Sequence, residues 1–223
     1  MNTPSEHPIL RLDAVGTRYN NRWLFRQVSL TLPAGVYALT GANGAGKSSC
    51  LRMLAGLQPM HEGRMSLDGL LYTPDQDDWK QRIGYASDKP DAWPSMRLAD
   101  FFELIAGFKR TSLVSVLDHA DRYGLSDHLN STWSGLSLGT RKKAVLVSAW
   151  AGEPAVLLLD EPSIALDHAA RTVLIEDIQH VARRAIVLAA THDDEIIHLG
   201  SELLVNKQSI LQESDLSQSC MVR

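Results

Sequence analysis

The sequence predicts an α/β fold: a parallel sheet covered on both faces, with a helical lobe inserted into it. Two strand-sized runs, Ala155–Leu159 and Ala185–Ala190, are continuously apolar, and helical stretches stand before and between them. Such strands, alternating with helices, belong to a parallel sheet buried on both sides. Between them and the N-terminal third, the apolar spacing turns helical from Met96 to Asp127, through Leu98, Phe101, Phe102 and Ile105, then Leu113, Val116 and Leu117. Pro90 and Pro94 open that stretch and Gly135 closes it, so residues 89–135, approximately, read as a lobe within a single domain spanning 1–223.

The remaining elements follow in chain order. Ile9–Val15, Leu24–Leu32 and Val36–Thr40 read as short strands, with Pro33-Ala34-Gly35 as a turn. Ser48–Leu57 reads as a helix with Leu51, Leu54 and Leu57 on one stripe and Cys50 on its buried side. Gly63–Gly69 is a further short strand between glycines. Thr140–Trp150 is a helix leading into the first apolar strand, and a helix around Ala169–Arg183 leads into the second. The polar tail after about Ile210 is expected to be loosely held.

Composition narrows the function. The chain has 223 residues, 44% hydrophobic and 22% charged, with a formal net charge of −4. A nucleic-acid binder usually carries a basic excess, and none is present, so no nucleic-acid partner is expected. No apolar stretch approaches the roughly 20 residues of a spanning helix. Met1–Pro8 lacks the basic and apolar regions of a signal peptide. Cys50 and Cys220 are too few for a disulfide framework or a zinc site, and both are expected as reduced thiols in the cytoplasm.

Gly41-Ala42-Asn43-Gly44-Ala45-Gly46-Lys47-Ser48 matches G-x-x-x-x-G-K-[ST] in full, with a strand before it and an apolar-striped helix after it. Glycines at 41, 44 and 46 let the backbone turn its N–H groups inward around a phosphate, and the helix beginning near Lys47 adds its positive dipole end. Lys47 is expected to reach the β- and γ-phosphates, and the Ser48 hydroxyl to ligate Mg²⁺; Ser49 follows on the same turn. A second strand, Ala155–Leu159, ends in Asp160-Glu161. Asp160 is expected to hold Mg²⁺ and Glu161 to act as general base toward water.

With these residues in place the chain resembles the ATP-binding cassette (ABC) family. Leu136-Ser137-Leu138-Gly139-Thr140, ahead of Asp160, resembles the family signature, usually Leu-Ser-Gly-Gly-Gln. Asp160-Glu161-Pro162-Ser163-Ile164-Ala165-Leu166-Asp167 looks like its Walker B motif and D-loop, and Thr191-His192 like its switch histidine. Tyr19, 28 positions before Lys47, stands where the family places an adenine-stacking aromatic. The resemblance implies a P-loop NTPase core with an N-terminal antiparallel β subdomain and an inserted helical subdomain, hydrolysing ATP with Mg²⁺. It implies two cassettes head to tail, with Ser137, Leu138, Gly139 and Asp167 facing ATP held by the other copy, and His192 bonding its γ-phosphate. It also implies an integral membrane subunit as partner, with this chain peripheral at the cytoplasmic face of the membrane.

Two departures from the family pattern stand out. Asp88 occupies the place of a Gln that touches Mg²⁺ and the water, and the signature carries Leu138 and Thr140 for Gly and Gln. Asp88 can still ligate Mg²⁺, so it is expected among the metal and catalytic residues, with slow hydrolysis. Asp88, together with the short stretch after His192, leans the expectation toward export. The loop Asp88–Arg97, with Trp93 and Pro94, is expected to help receive a helix of the membrane subunit, unless Trp93 simply packs the lobe. The alternative reading is a catalytically weak, regulatory cassette that senses nucleotide.

Overall fold

The protein is described by a computed structural model over residues 7–74, 77–206 and 209–212. The tail beyond these, with Cys220, and most of Met1–Pro8 lie outside the described residues. Two sheets organise the rest. The smaller is antiparallel and holds β1 (Ile9–Tyr19), β2 (Arg22–Pro33), β4 (Glu62–Leu67) and β5 (Leu70–Leu71), in the order β2-β1-β4-β5. The larger holds β3 (Gly35–Thr40), β6 (Ile83–Ala86), β7 (Val156–Asp160), β8 (Ile186–Ala190), β9 (Ser201–Asn206) and β10 (Ser209–Gln212), in the order β10-β9-β3-β8-β7-β6. All its pairings are parallel except β9 with β10.

Both apolar strands predicted from sequence lie at the centre of this sheet, and every residue of β7 and β8 is buried. Their side chains alternate between two cores, as the period of two in a strand requires. Val156, Leu158, Ile186 and Leu188 face the core shared with the small sheet and α1 (Lys47–Leu54). Leu157, Leu159, Val187 and Ala189 face the core covered by helices α5 (Leu138–Trp150) and α6 (His168–Val181). Each buried aliphatic side chain contributes about 1.5–3 kcal/mol, so this central pair anchors the molecule.

The helical stretch forms α3 (Leu98–Phe108) and α4 (Leu113–Arg122), with two short 3₁₀ turns ahead of α5. Its entry and exit segments pair with each other: Leu98 N–H donates to Ser131 O at 3.0 Å and Trp133 N–H to Met96 O at 2.8 Å. A buried polar cluster fastens it to the body. Asp177 on α6 accepts from Arg122 and, at 3.1 Å, from the Tyr123 hydroxyl, and pairs with His119 Nε2 at 2.6 Å. Burial raises the Asp177 pKa, but the His119 and Arg122 bonds and charges outweigh it and hold the carboxyl below its ordinary value.

Some expectations shift. Helix α1 ends at Leu54, and Leu57 falls off the stripe, 64% exposed, because the chain turns at Gly56 (φ 74°). Cys50 is 2% exposed and burial pushes its thiol up to about 12, so it stays protonated. Trp93 is 67% exposed, which overturns the view that it packs the lobe. Helix α2 (Asp77–Arg82), strands β5, β6, β9 and β10, and the one-turn helix α7 (Asp194–Ile197) were not read from sequence. Most are too short to show a period, and the edge strand β9 mixes buried Leu203 and Val205 with polar neighbours.

Candidate functional site

Parallel strands bring their carboxyl ends to one edge, where ligands of open α/β sheets are bound. Gly41 follows β3, Asp160 ends β7, Thr191-His192 follows β8 and Ser87-Asp88 follows β6. The Gly41–Lys47 loop turns through three glycines at positive φ, 129°, 77° and 111° for Gly41, Gly44 and Gly46. At Gly41 a Cβ would stand 2.1 Å from the Val205 carbonyl oxygen, so no side chain fits. Within the loop Ala45 N–H closes a turn onto Ala42 O at 3.1 Å, and Asn43, Gly44 and Gly46 line a cleft of about 240 Å³ that Glu161 also borders.

Five side chains from three strand ends converge here. Lys47, 8% exposed, donates from Nζ to Gly41 O at 2.7 Å and lies 3.3 Å from His192 Nε2. An ammonium has no lone pair to offer, so the imidazole nitrogen is the acceptor. His192 Nε2 is in turn 3.9 Å from Glu161 Oε1. Ser48 Oγ donates to Asp160 Oδ1 at 2.9 Å. Glu161 sits at φ 47°, in the left-handed region, with its N–H held by Ala190 O at 2.8 Å. That costs roughly 1 kcal/mol or more, a strain of the kind found at working sites.

The Asp160 end of this cluster suits a cation. Asp160 is 1% exposed and its Oδ2 is buried with no hydrogen-bond partner. Burial raises its pKa, the Ser48 bond opposes this, and the charge of Asp88 adds to the rise. A buried carboxylate with a free lone pair beside a serine hydroxyl is a hard-oxygen donor set, the type Mg²⁺ prefers. Asp88 itself is exposed in the loop after β6.

Tyr19 borders a second cavity of about 520 Å³, which shares Ser49 and Arg52 with the glycine-loop cleft, so the two are adjoining. Its ring is 64% exposed. Ser137 caps α5: its Oγ accepts from Thr140 N–H at 3.1 Å. Ser137 is thus the N-cap, a position that favours serine. Leu138 is 54% exposed, while a Cβ on Gly139 would stand 2.6 Å from Ala165 O, so the D-loop passes directly over it. Asp167 caps α6 through Ala170 N–H at 2.8 Å and pairs with Lys143 at 2.5 Å. Gly139 and the turn at Ala165–Asp167 thus lie against each other, with Asp167 tied to α5 through Lys143.

Sequence reading missed Arg52, which lines both cavities, and Lys142, which is 2% exposed and donates to Ser87 O at 2.9 Å and Asp160 O at 3.0 Å. It also missed Arg171, which pairs with Asp193, next to His192, at 2.6 Å. Lys142 left a trace: it lies four residues before the buried Leu146, a charge on an apolar helical face.

Comparisons with known proteins bear on the family and the fold. Residues 25–164, well over half of the chain, match the family model described as ABC transporter. The chain is 32% identical over 207 residues to an aliphatic sulfonates import ATP-binding protein, SsuB 2, of Burkholderia cenocepacia (strain HI2424), covering 89% of this chain and 73% of that one. It is 30% identical over 210 residues to the ABC transporter ATP-binding protein NatA of Bacillus subtilis (strain 168), covering 86% and 85%. Among solved structures, the ATP-binding subunit of an ABC transporter superposes with a TM-score of 0.84 at 21% identity, covering 96% and 94%. The dimeric bacterial cassette MJ0796 does so at 0.81 and 20%, covering 90% and 96%. The chain therefore belongs to the ABC transporter family, as an ATP-binding subunit that hydrolyses ATP.

Proposed function

We propose that this chain energises transport through a separate membrane-spanning subunit, working as one of two cassettes at the cytoplasmic face of a membrane. The observation that carries the reading is the convergence of Lys47, Ser48, Asp160, Glu161 and His192 beside the glycine loop. Among the described residues no helix is long and apolar enough to cross a membrane, so the spanning part is assigned to a partner. Solved cassettes of similar fold include a dimer and a dimer bound to ADP and Pi, which supports pairing.

In this mechanism the N–H groups of the glycine loop and of the first turn of α1 hold the phosphates of ATP, with Tyr19 stacking on the base. Lys47 exchanges its carbonyl partners for phosphate oxygens, which frees His192 Nε2 from accepting, so that with the ring proton on Nε2 it donates N–H to the γ-phosphate. Ser48 and Asp160 would hold Mg²⁺, with Asp88 beside them, and the ion supplies charge neutralisation on the phosphates. Glu161 takes the proton of the attacking water. Ser137, Leu138 and Gly139 of the opposite cassette, with Asp167, close the site, so loss of the γ-phosphate loosens the pair. The exposed Trp93 and its loop contact the membrane subunit. Export, expected from Asp88 together with the short stretch after His192, draws no support from the relatives, several of which are named as importers.

The test is Glu161→Gln. Turnover is expected to fall by about 10²–10⁴-fold with ATP binding retained, and the chain is expected to elute as a nucleotide-dependent dimer on size exclusion. Normal turnover would remove Glu161 from its role.

A further inference from the structure

Lys142 is a buried charge that the mechanism above does not use. It lies in the second turn of α5, the helix that Ser137 caps, and is 2% exposed. Its Nζ donates to two backbone carbonyls, Ser87 O at 2.9 Å and Asp160 O at 3.0 Å. Each of these carbonyls immediately precedes an acidic side chain, Asp88 in one case and Glu161 in the other. β6 and β7 are parallel neighbours, with Ala86 opposite Leu159, so one ammonium holds the two strand ends from which both acids project.

Hydrogen bonds to two carbonyls do not by themselves require a charge. A neutral amide of similar reach could donate to both, and burying an ammonium is costly unless opposite charge compensates it. Burial indeed drives the Lys142 pKa down, and the carboxylates of Asp88, Asp160 and Glu161 push it back. Asp160 Oδ1 accepts from the Ser48 hydroxyl, while its Oδ2 has no hydrogen-bond partner. Asp88 adds a negative charge to a place that must also receive a polyphosphate, and its charge raises the pKa of Asp160.

We propose that Lys142 is a positioning residue whose positive charge balances Asp88, holding the Ser87-Asp88 and Asp160-Glu161 loops together at the hydrolytic site. The acid after β6 and the buried lysine in α5 are then a matched pair. The inference rests on the reading of Asp88 and Glu161 as parts of that site. Because Lys142 shares a helix with Ser137–Gly139, it also gives the exposed face of α5 a direct mechanical connection to the catalytic strand ends.

A double-mutant cycle on the full chain tests this. Lys142→Gln, Asp88→Asn and the pair are compared by nucleotide-free melting temperature and by ATP turnover with kcat and KM resolved. Lys142→Gln alone is expected to lower the melting temperature by roughly 5 °C and kcat by about tenfold to a hundredfold, with KM little changed. In the Asp88→Asn background the same substitution is expected to cost much less in both readouts. Equal losses in the two backgrounds would reduce Lys142 to a hydrogen-bonded bridge and overturn the proposal; coupling in melting alone, with equal loss of kcat, overturns the positioning role. If Lys142→Gln does not fold, recovery of folded protein in the double variant supports the pairing, and failure of both overturns it. The melting cycle needs no ATP, so it stays readable even if Glu161→Gln proves active.

Discussion

Two serines, each in the first turn or at the cap of a helix, mark regions with opposite character. Ser48 opens α1 and its hydroxyl reaches Asp160 across 112 residues, inside a cluster that also holds Lys47, Glu161 and His192. Ser137 caps α5, is exposed, and spends its hydroxyl on Thr140, three residues away. Every partner of the first is supplied by this chain's own strand ends. The second spends its serine on a local cap and turns Leu138, 54% exposed, toward solvent. A region tied by long-range bonds can hold a ligand unaided, whereas an ordered but exposed one is suited to meet something outside.

The largest expected effect breaks the first region. Lys47→Ala removes the ammonium and the donors that the proposed mechanism turns to the phosphates, and ATP affinity, by equilibrium binding, is expected to fall on the order of 100-fold or more. Retained tight binding would mean that the glycine loop alone suffices. The second region is broken by Leu138→Arg. Its side chain is exposed, so stability is expected to move by no more than about 0.5 kcal/mol and ATP binding to persist. Turnover is expected to drop about tenfold or more if a second cassette covers this face; unchanged turnover would leave the face without that role.

A smaller effect probes how α4 is fastened to α6. Asp177→Asn is expected to cost about 2 kcal/mol near neutral pH, discounted because the Arg122 side chain is 47% exposed. The Asp177 carboxyl is held below its ordinary value, so its contribution is complete above about pH 4 and is lost as pH falls further. Melting curves of the two proteins should therefore converge below that pH; a constant gap would exclude the ionised carboxylate as the cause. The smallest effect is at Tyr19→Ala, where loss of base stacking, worth about 1–3 kcal/mol, predicts roughly tenfold weaker ATP binding with kcat nearly unchanged.

The same contrast explains what could be read in advance. Glycine spacing from 41 to 46 dictates a loop on its own, because only glycine takes those φ values cheaply, and the apolar runs of β7 and β8 have no place except a sheet covered on both sides. The stripe Leu51–Leu57 misled because periodicity carries no sign of where a helix stops; Gly56 does. Strand β6 was hidden because four residues, two of them Gly84 and Tyr85, show no run, and its place is set by pairing with β7.

The sequence by itself determined the phosphate loop, the acidic end of an apolar strand and the parallel α/β frame, since each follows from local stereochemistry or from a short pattern of burial. Only the tertiary structure decided that Lys47 lies 3.3 Å from His192, that Asp160 Oδ2 is left unpaired, and that Lys142 grips the carbonyls before Asp88 and Glu161. These contacts join residues tens to more than a hundred positions apart, and their energies depend on burial and mutual distance, which come into being only when the strand ends are brought side by side.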